Sequence, residues 1–330
     1  MADSKPTAPA GVDSVLRLSR AFMESRVLLT AAELDLFTEL AREPRTAAAL
    51  AEAHRWQPRP LSLVLDALVA IELLSKQDGI YRCDPAVAEK LSADSPTSLL
   101  ASVQHAAALW DRWATLTARV TGGAPRPGLE DTRAFVEAMH AIARPLATRM
   151  VAAVQPAGAR RLLDLGGATG TYTMAFLEAV PGLRATLFDL PEVIPLARER
   201  LSAGGWIDRV TLVSGDFLTA ALPGEHDLAW LSAVIHSHGP EENLALYRRV
   251  FDALVPGGRI VIRDHVMSED HTSPRAGALF AINMLGATAR GQTYSYQEIA
   301  GALEKARFTG IRLLQSGESM DALVEARRPA

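Results

Sequence analysis

The chain has one cysteine, Cys83, among 330 residues, which excludes a disulfide framework within one chain. No apolar run approaches the roughly 18 residues that suggest a membrane span. The opening MADSKPTAPAG lacks the apolar core of a secretory leader, so cytoplasm is the expected compartment. Neither sign of charge dominates: 34 Lys and Arg stand against 38 Asp and Glu, a net of −4. That balance supplies no global field for gathering nucleic acid. Aromatic residues make up only 6%, yet hydrophobic residues reach 48% and charged residues 22%, as in an ordinary folded chain. Disorder is expected only at the tips. A chain of this length buries about three-quarters of its extended surface and has room for more than one core. We find no internal repeat.

Apolar residues recur every three or four positions over 14–41, which predicts one long amphipathic helix or two abutting ones. Thr46 is a suitable N-cap for a helix over 46–54, and 58–74 predicts another. In KQDGIYRCD, Asp78-Gly79 between short extended pieces signals a tight hairpin. Helix, helix and hairpin in this order make a winged helix, an arrangement that often binds DNA. Residues 1–95 carry 11 Lys and Arg against 14 Asp and Glu, and the would-be reading helix offers only Arg59 as a base. Phosphate and base edges need more donors than that, so packing is the expected role and DNA binding the alternative. The oily 18–41 stretch, with Phe22, Val27, Leu28, Leu29, Leu36, Phe37 and Leu40, points to a partner subunit.

Helices are expected over 98–120 and 131–154, separated by the Gly/Pro-rich TGGAPRPG. His105, Trp110, Trp113, Met139 and His140 stand on them at helical spacing, as walls for a flat ligand or as packing. From 160 the pattern changes. Short apolar runs at 160–166, 183–190, 209–216, 227–236 and 257–265 predict buried strands, with helices near 171–179, 192–203, 241–253 and 275–286. Such alternation predicts an α/β fold, a doubly wound and mostly parallel sheet. The tail supplies a last helix and an edge hairpin.

In such sheets ligands sit beyond the carboxyl ends of the strands, where strand order reverses. The segment LLDLGGATG (162–170) ends its strand on Gly166, Gly167 and Gly170, which lets backbone turn tightly and a ligand approach. Asp189 follows Gly170 by 19 residues, where a carboxylate can accept both ribose hydroxyls. Asp216 can accept from an adenine amine while Phe217 packs on the ring. Together these describe a nucleoside site. The loop lacks the G-x-G-x-x-G of dinucleotide binders, and a free Asp164 carboxylate within the strand suits an ammonium better than a phosphate. S-adenosylmethionine carries that ammonium, so it is the expected cofactor. Ser232 joins the cofactor set.

LLDLGGATG, FDLPEV (188–193), SGDF (214–217) and AVIHSHGPEENLALYRRVFDALVPGGRIVIRDHV (233–266) resemble the bacterial and plant small-molecule O-methyltransferases related to caffeate and hydroxyindole O-methyltransferases. The likeness covers about residues 14–325 and includes GALFAINMLG (277–286). It implies a class I methyltransferase Rossmann-like sheet behind a helical, winged-helix dimerisation domain. The expected divisions are 11–95 for dimerisation, 96–155 for bridging helices and 156–330 for catalysis. It also implies a homodimer, S-adenosylmethionine held by Gly166 to Gly170, Asp189, Leu190, Asp216 and Phe217, and a substrate under the bridging helices. The family places a general-base histidine after strand 4 in a His-Asp-Trp pattern. Here that histidine is His236, followed by Ser237 and His238, and the acidic residue after the next strand is Asp264.

The residues support His236 without that match. It is expected to end its strand on the rim of the glycine turn, with Asp264 on the adjacent strand fixing its tautomer. Phe280, Asn283 and Met284 form the expected pocket floor, and Asn283 is suited to hold a ring hydroxyl. His238 and His265 are further pocket candidates. No histidine has metal-ligand spacing, so no metal is expected. The function expected is methyl transfer to a hydroxyl of an aromatic or polyketide-like small molecule, with no membrane or nucleic acid as partner. Transfer to carbon or nitrogen, or a winged-helix interaction module without catalysis, are the alternatives.

Overall fold

A computed structural model describes residues 12–123 and 131–330. The opening eleven residues and most of TGGAPRPG, on which a leaderless tip and a linker were expected, lie outside the described residues. Two compact units meet at Ala107 and Ala108, inside the helix Leu100–Ala114.

In the first unit, the stretch expected as one or two helices forms three, Val12–Arg20, Phe22–Glu33 and Leu36–Arg42. Asp35 breaks the run with φ +52, a left-handed conformation that no helix continues through. Thr46 caps Ala47–His54 by accepting from the Ala49 N–H. The next helix, Pro58–Ala70, stops four residues earlier than its apolar pattern. Glu72 has φ +62, and the Leu73 N–H donates to the Leu68 carbonyl at 2.9 Å, which closes the helix in a Schellman turn. Ser75–Gln77 and Ile80–Arg82 pair through Asp78-Gly79, both with positive φ, and Arg45–Thr46 adds a third strand. Leu36, Phe37, Leu40, Leu50, Leu65, Leu68 and Tyr81 are buried together. Val15, Leu18, Phe22 and Met23 are more than half exposed.

The second unit is built on seven strands: β1 (Arg161–Leu165), β2 (Arg184–Asp189), β3 (Val210–Ser214), β4 (His226–Ser232), β5 (Leu254–Asp264), β6 (Thr309–Gln315) and β7 (Ala322–Arg327). Their order is β6-β7-β5-β4-β1-β2-β3. The first five are parallel, and β7 runs antiparallel between β5 and β6. Strand order therefore reverses between β1 and β4, and a crevice opens beyond their carboxyl ends. Leu162, Trp230, Val261 and Leu323 pack on one face under Thr132–Val154 and Thr171–Ala179. Leu163, Leu231, Ile262 and Val324 pack on the other under Pro240–Ala253 and Tyr296–Lys305. Each such fully buried side chain contributes about 1.5–3 kcal/mol. A short parallel pairing of Val266–Met267 with Tyr294–Ser295 was not expected. Among the described residues no helix is long and apolar enough to cross a membrane.

Candidate active site

The glycine turn follows β1 directly. Gly166 and Gly170 have φ +69 and +83, conformations that side chains strain to adopt. A Cβ on Gly166 would lie 2.9 Å from Val234 Cγ2 and 3.8 Å from Phe217 Cε1. The turn, the segment after β4 and the loop after β3 thus close around one space. Gly170 opens the helix Thr171–Ala179 and has no side chain to cap it; the Thr173 N–H is directed to the buried Asp164 carboxylate instead.

Three carboxylates meet this turn in three environments. Asp189, half-buried at the end of β2, accepts from the Ala168 and Leu190 N–H groups at 2.8 Å each, one per oxygen. Each oxygen keeps a lone pair for a hydroxyl. Burial raises its pKa. The adjacent Leu190 side chain is 42% exposed. Asp216, exposed after β3, accepts from the Leu218 N–H at 2.8 Å, and Phe217 beside it meets the His238 ring edge-on at 5.5 Å. Asp164 corrects an expectation, because its carboxylate is not free: it is buried and accepts from the Thr173 hydroxyl at 2.5 Å. Burial pushes its pKa up to about 7. Ser232 is likewise engaged, accepting from Arg263 Nη1 at 2.9 Å.

His236 does not end a strand. β4 stops at Ser232, and His236 lies in the 3-10 turn Ile235–Ser237. The apolar run continues because Val234 and Ile235 are buried in the core beyond the strand. His236 Nδ1 lies 2.9 Å from both Asp264 oxygens, and the two side chains are buried. A carboxylate at Nδ1 requires the proton there, which leaves Nε2 as an acceptor. Asp264 also accepts from the His265 N–H at 2.8 Å. Two residues that sequence reasoning missed hold this turn. Buried Asn243 donates to the Ile235 carbonyl at 2.8 Å, and the Tyr294 hydroxyl donates to the His238 carbonyl. An amide on the core-facing side of the following helix was the available signal for the first.

The expected pocket residues separate. Phe280 sets its ring edge against His236 at 4.8 Å and lies 5.0 Å from His265. Asn283 lines a narrow cleft with Arg112, Trp113, Leu116, Arg119 and Ile282, and its Oδ1 has no partner. Met284 is buried, while Trp110 and Met139 are half-buried. His140 sits beside the glycine turn, its Nδ1 2.8 Å from the Thr171 hydroxyl. Burial, with the Arg200 charge adding, pushes its pKa down to about 4. Burial also lowers His238 and His265. His105 belongs to the first unit and is half-buried. Among the described residues no group of three or more His, Cys, Asp or Glu gathers as a metal site requires.

This strand order, with a glycine turn and acidic strand ends at the reversal, defines a class I methyltransferase. The chain belongs to the O-methyltransferase family: the model of the O-methyltransferase domain matches residues 126–309, and that of the O-methyltransferase dimerisation domain matches 16–92. It is similar to the tetracenomycin polyketide synthesis 8-O-methyl transferase of Streptomyces glaucescens, 33% identical over 97% of each chain. The mitomycin biosynthesis 6-O-methyltransferase of Streptomyces lavendulae is 30% identical over 97% of this chain and 95% of its own. The structure of human N-acetylserotonin methyltransferase in complex with SAM superposes with a TM-score of 0.85 at 25% identity, over the whole of both chains.

The folded pKa of Asp164, about 7, lies above the ordinary 3.8, so the stability linked to its proton is full below 3.8 and lost as pH rises through 7. Asp164→Asn keeps an oxygen for Thr173 and removes that loss. Thermal melts should show the variant gaining on the parent between about pH 4 and pH 8; a constant or shrinking Tm difference contradicts the assignment.

Proposed function

We propose that the enzyme transfers a methyl group from S-adenosylmethionine to a hydroxyl of an aromatic or polyketide-like small molecule, with His236 as the general base. The observation that carries this reading is the buried His236–Asp264 pair two residues beyond Val234, whose side chain closes on the glycine turn.

The residues present fit the cofactor. Asp189 has lone pairs for two ribose hydroxyls once its backbone donors are counted. Asp216 and Phe217 offer an acceptor and a ring for adenine, with Leu190 as an apolar cover. Gly166, Gly167 and Gly170 keep side chains out of the approach, and Ser232 and Asp164 border it. S-adenosylmethionine, when bound, supplies a methyl already made electrophilic by positive sulfur. The protein's work is to align the acceptor and remove its proton while excluding water.

His236 Nε2 is the acceptor for that proton, and Asp264 holds the ring and balances the charge it gains. A phenol near pKa 10 and an ordinary imidazole near 6.5 differ by roughly 5 kcal/mol. Removal of the proton as the oxygen attacks, rather than before, lowers that cost. Phe280 against His236 supports a flat acceptor, as do the names of the polyketide and mitomycin relatives. Trp110, Trp113, Met139, His140, His238, Asn283 and Met284, all of the second unit, are the further residues assigned to the acceptor surroundings in this reading.

We also read residues 11–95 as a winged-helix dimerisation domain, 96–155 as bridging helices and 156–330 as the catalytic domain. The three-stranded wing and the exposed Val15, Leu18, Phe22 and Met23 support a homodimer. Arg59 as the only base on Pro58–Ala70 supports packing rather than nucleic-acid contact. A lone buried thiol, Cys83, accords with a reducing, cytoplasmic setting.

In a phenol panel scored by S-adenosylhomocysteine release, His236→Ala should lower turnover about 100-fold or more with cofactor affinity kept; unchanged turnover removes His236 as base. Light scattering of the full chain should give the mass of two chains, and a persistent monomer refutes the dimer.

A further inference from the structure

Arg263 is a buried cation that the chemistry above leaves unused. It lies on β5, 4% exposed. Its Nη1 donates to Ser232 Oγ at 2.9 Å, its guanidinium carbon lies 5.2 Å from the Tyr172 ring centre, and its Nε has no partner. Among the described residues no carboxylate pairs with it. On the same sheet a buried acid is matched by cations: Glu325, fully buried on β7, takes Arg259 at 2.9 Å and Arg312 at 3.1 Å. Acids placed toward the same region are engaged. Asp164 takes the Thr173 hydroxyl, and Asp321 takes Arg149 at 3.3 Å. A buried guanidinium without a counter-charge is strongly unfavourable. A ligand that brings the negative charge relieves it.

Position says which ligand. Ser232 is the last residue of β4 and Tyr172 the second of the helix after the glycine turn. The guanidinium therefore sits on the rim beside that turn. Strand alternation puts it on the opposite face of β5 from Asp264, away from the base. The helix N-terminus adds partial positive charge, and Thr169 Oγ1, within the turn, is buried without a partner. We propose that Arg263, with Ser232, forms a carboxylate subsite that takes the amino-acid carboxylate of S-adenosylmethionine. This rests on the cofactor reading above. Arginine suits the task because its planar fork matches a carboxylate.

Calorimetry of the full chain with two probes tests it. S-adenosylhomocysteine carries the carboxylate, whereas 5′-methylthioadenosine keeps the nucleoside thioether and lacks the amino acid. Arg263→Met should weaken S-adenosylhomocysteine about tenfold or more, leave 5′-methylthioadenosine within about threefold, and hold or raise Tm because an uncompensated charge is gone. Should that variant not fold, Arg263→Lys, which keeps charge without the fork, reads the same ratio of the two affinities. An unchanged S-adenosylhomocysteine affinity, or equal loss for both probes, overturns the subsite. Absence of binding by the unaltered chain overturns the cofactor reading and the subsite together.

Discussion

Two strands and the turn beyond one of them meet in a single hydrogen-bonded pair, the Asp264 carboxylate on the imidazole of His236. Both groups are withdrawn from water, so each needs the other: an ion buried alone is costly, and an imidazole without a fixed partner has no defined tautomer. The pair exists only because β4 and β5 run parallel with Ser232 opposite Arg263. A one-residue slip would send Asp264 to the other face of the sheet. Asn243 and Tyr294 tie down the carbonyls flanking His236, and the approach of Gly291, where a Cβ would lie 2.5 Å from the His236 carbonyl, closes the same turn from another side. Few of the motions open to an ordinary loop remain to this one.

The rest of the rim divides its charges by environment. Asp189 is half-buried and fixed by two backbone donors, Asp216 stands in solvent, and Asp164 is sealed under Thr173 with its pKa near neutrality. Identical side chains thereby sit in three different electrostatic environments. His140 is similarly set apart, kept neutral by burial and by Arg200 while it braces Thr171 at the start of the loop helix. The buried Arg263 is a cation set beside these acids, at the carboxyl end of β5 against Ser232.

The five parallel strands were legible because a parallel sheet covered on both faces writes near-continuous apolar runs, and the glycines and acids at their ends stood out against them; the hairpin expected in the tail is the antiparallel pair β6 and β7. That same continuity hides where β4 stops: Val234 and Ile235 are as buried as strand residues although they lie beyond the strand, so the apolar pattern carries His236 to a strand end. Local breaks were lost for a related reason. Asp35 and Glu72 adopt left-handed backbone inside patterns that remain apolar on the helical period, and periodicity does not register φ. The partners of Asp164, His140 and Arg263 come from other elements, and no spacing along the chain encodes which hydroxyl or ring will lie opposite. Asn243 carries a weak signal, an amide among apolar neighbours, whose meaning depends on a turn that the apolar pattern does not separate from the strand.

The state of the His236 ring bears most directly on the central pair. Nitrogen-15 NMR of histidine-labelled protein reads which ring nitrogen carries the proton in the neutral form. The pairing with Asp264 predicts protonated Nδ1 and bare Nε2, with Asp264→Ala mixing the tautomers; a neutral ring protonated at Nε2 would contradict His236 as an acceptor aimed at the acceptor hydroxyl.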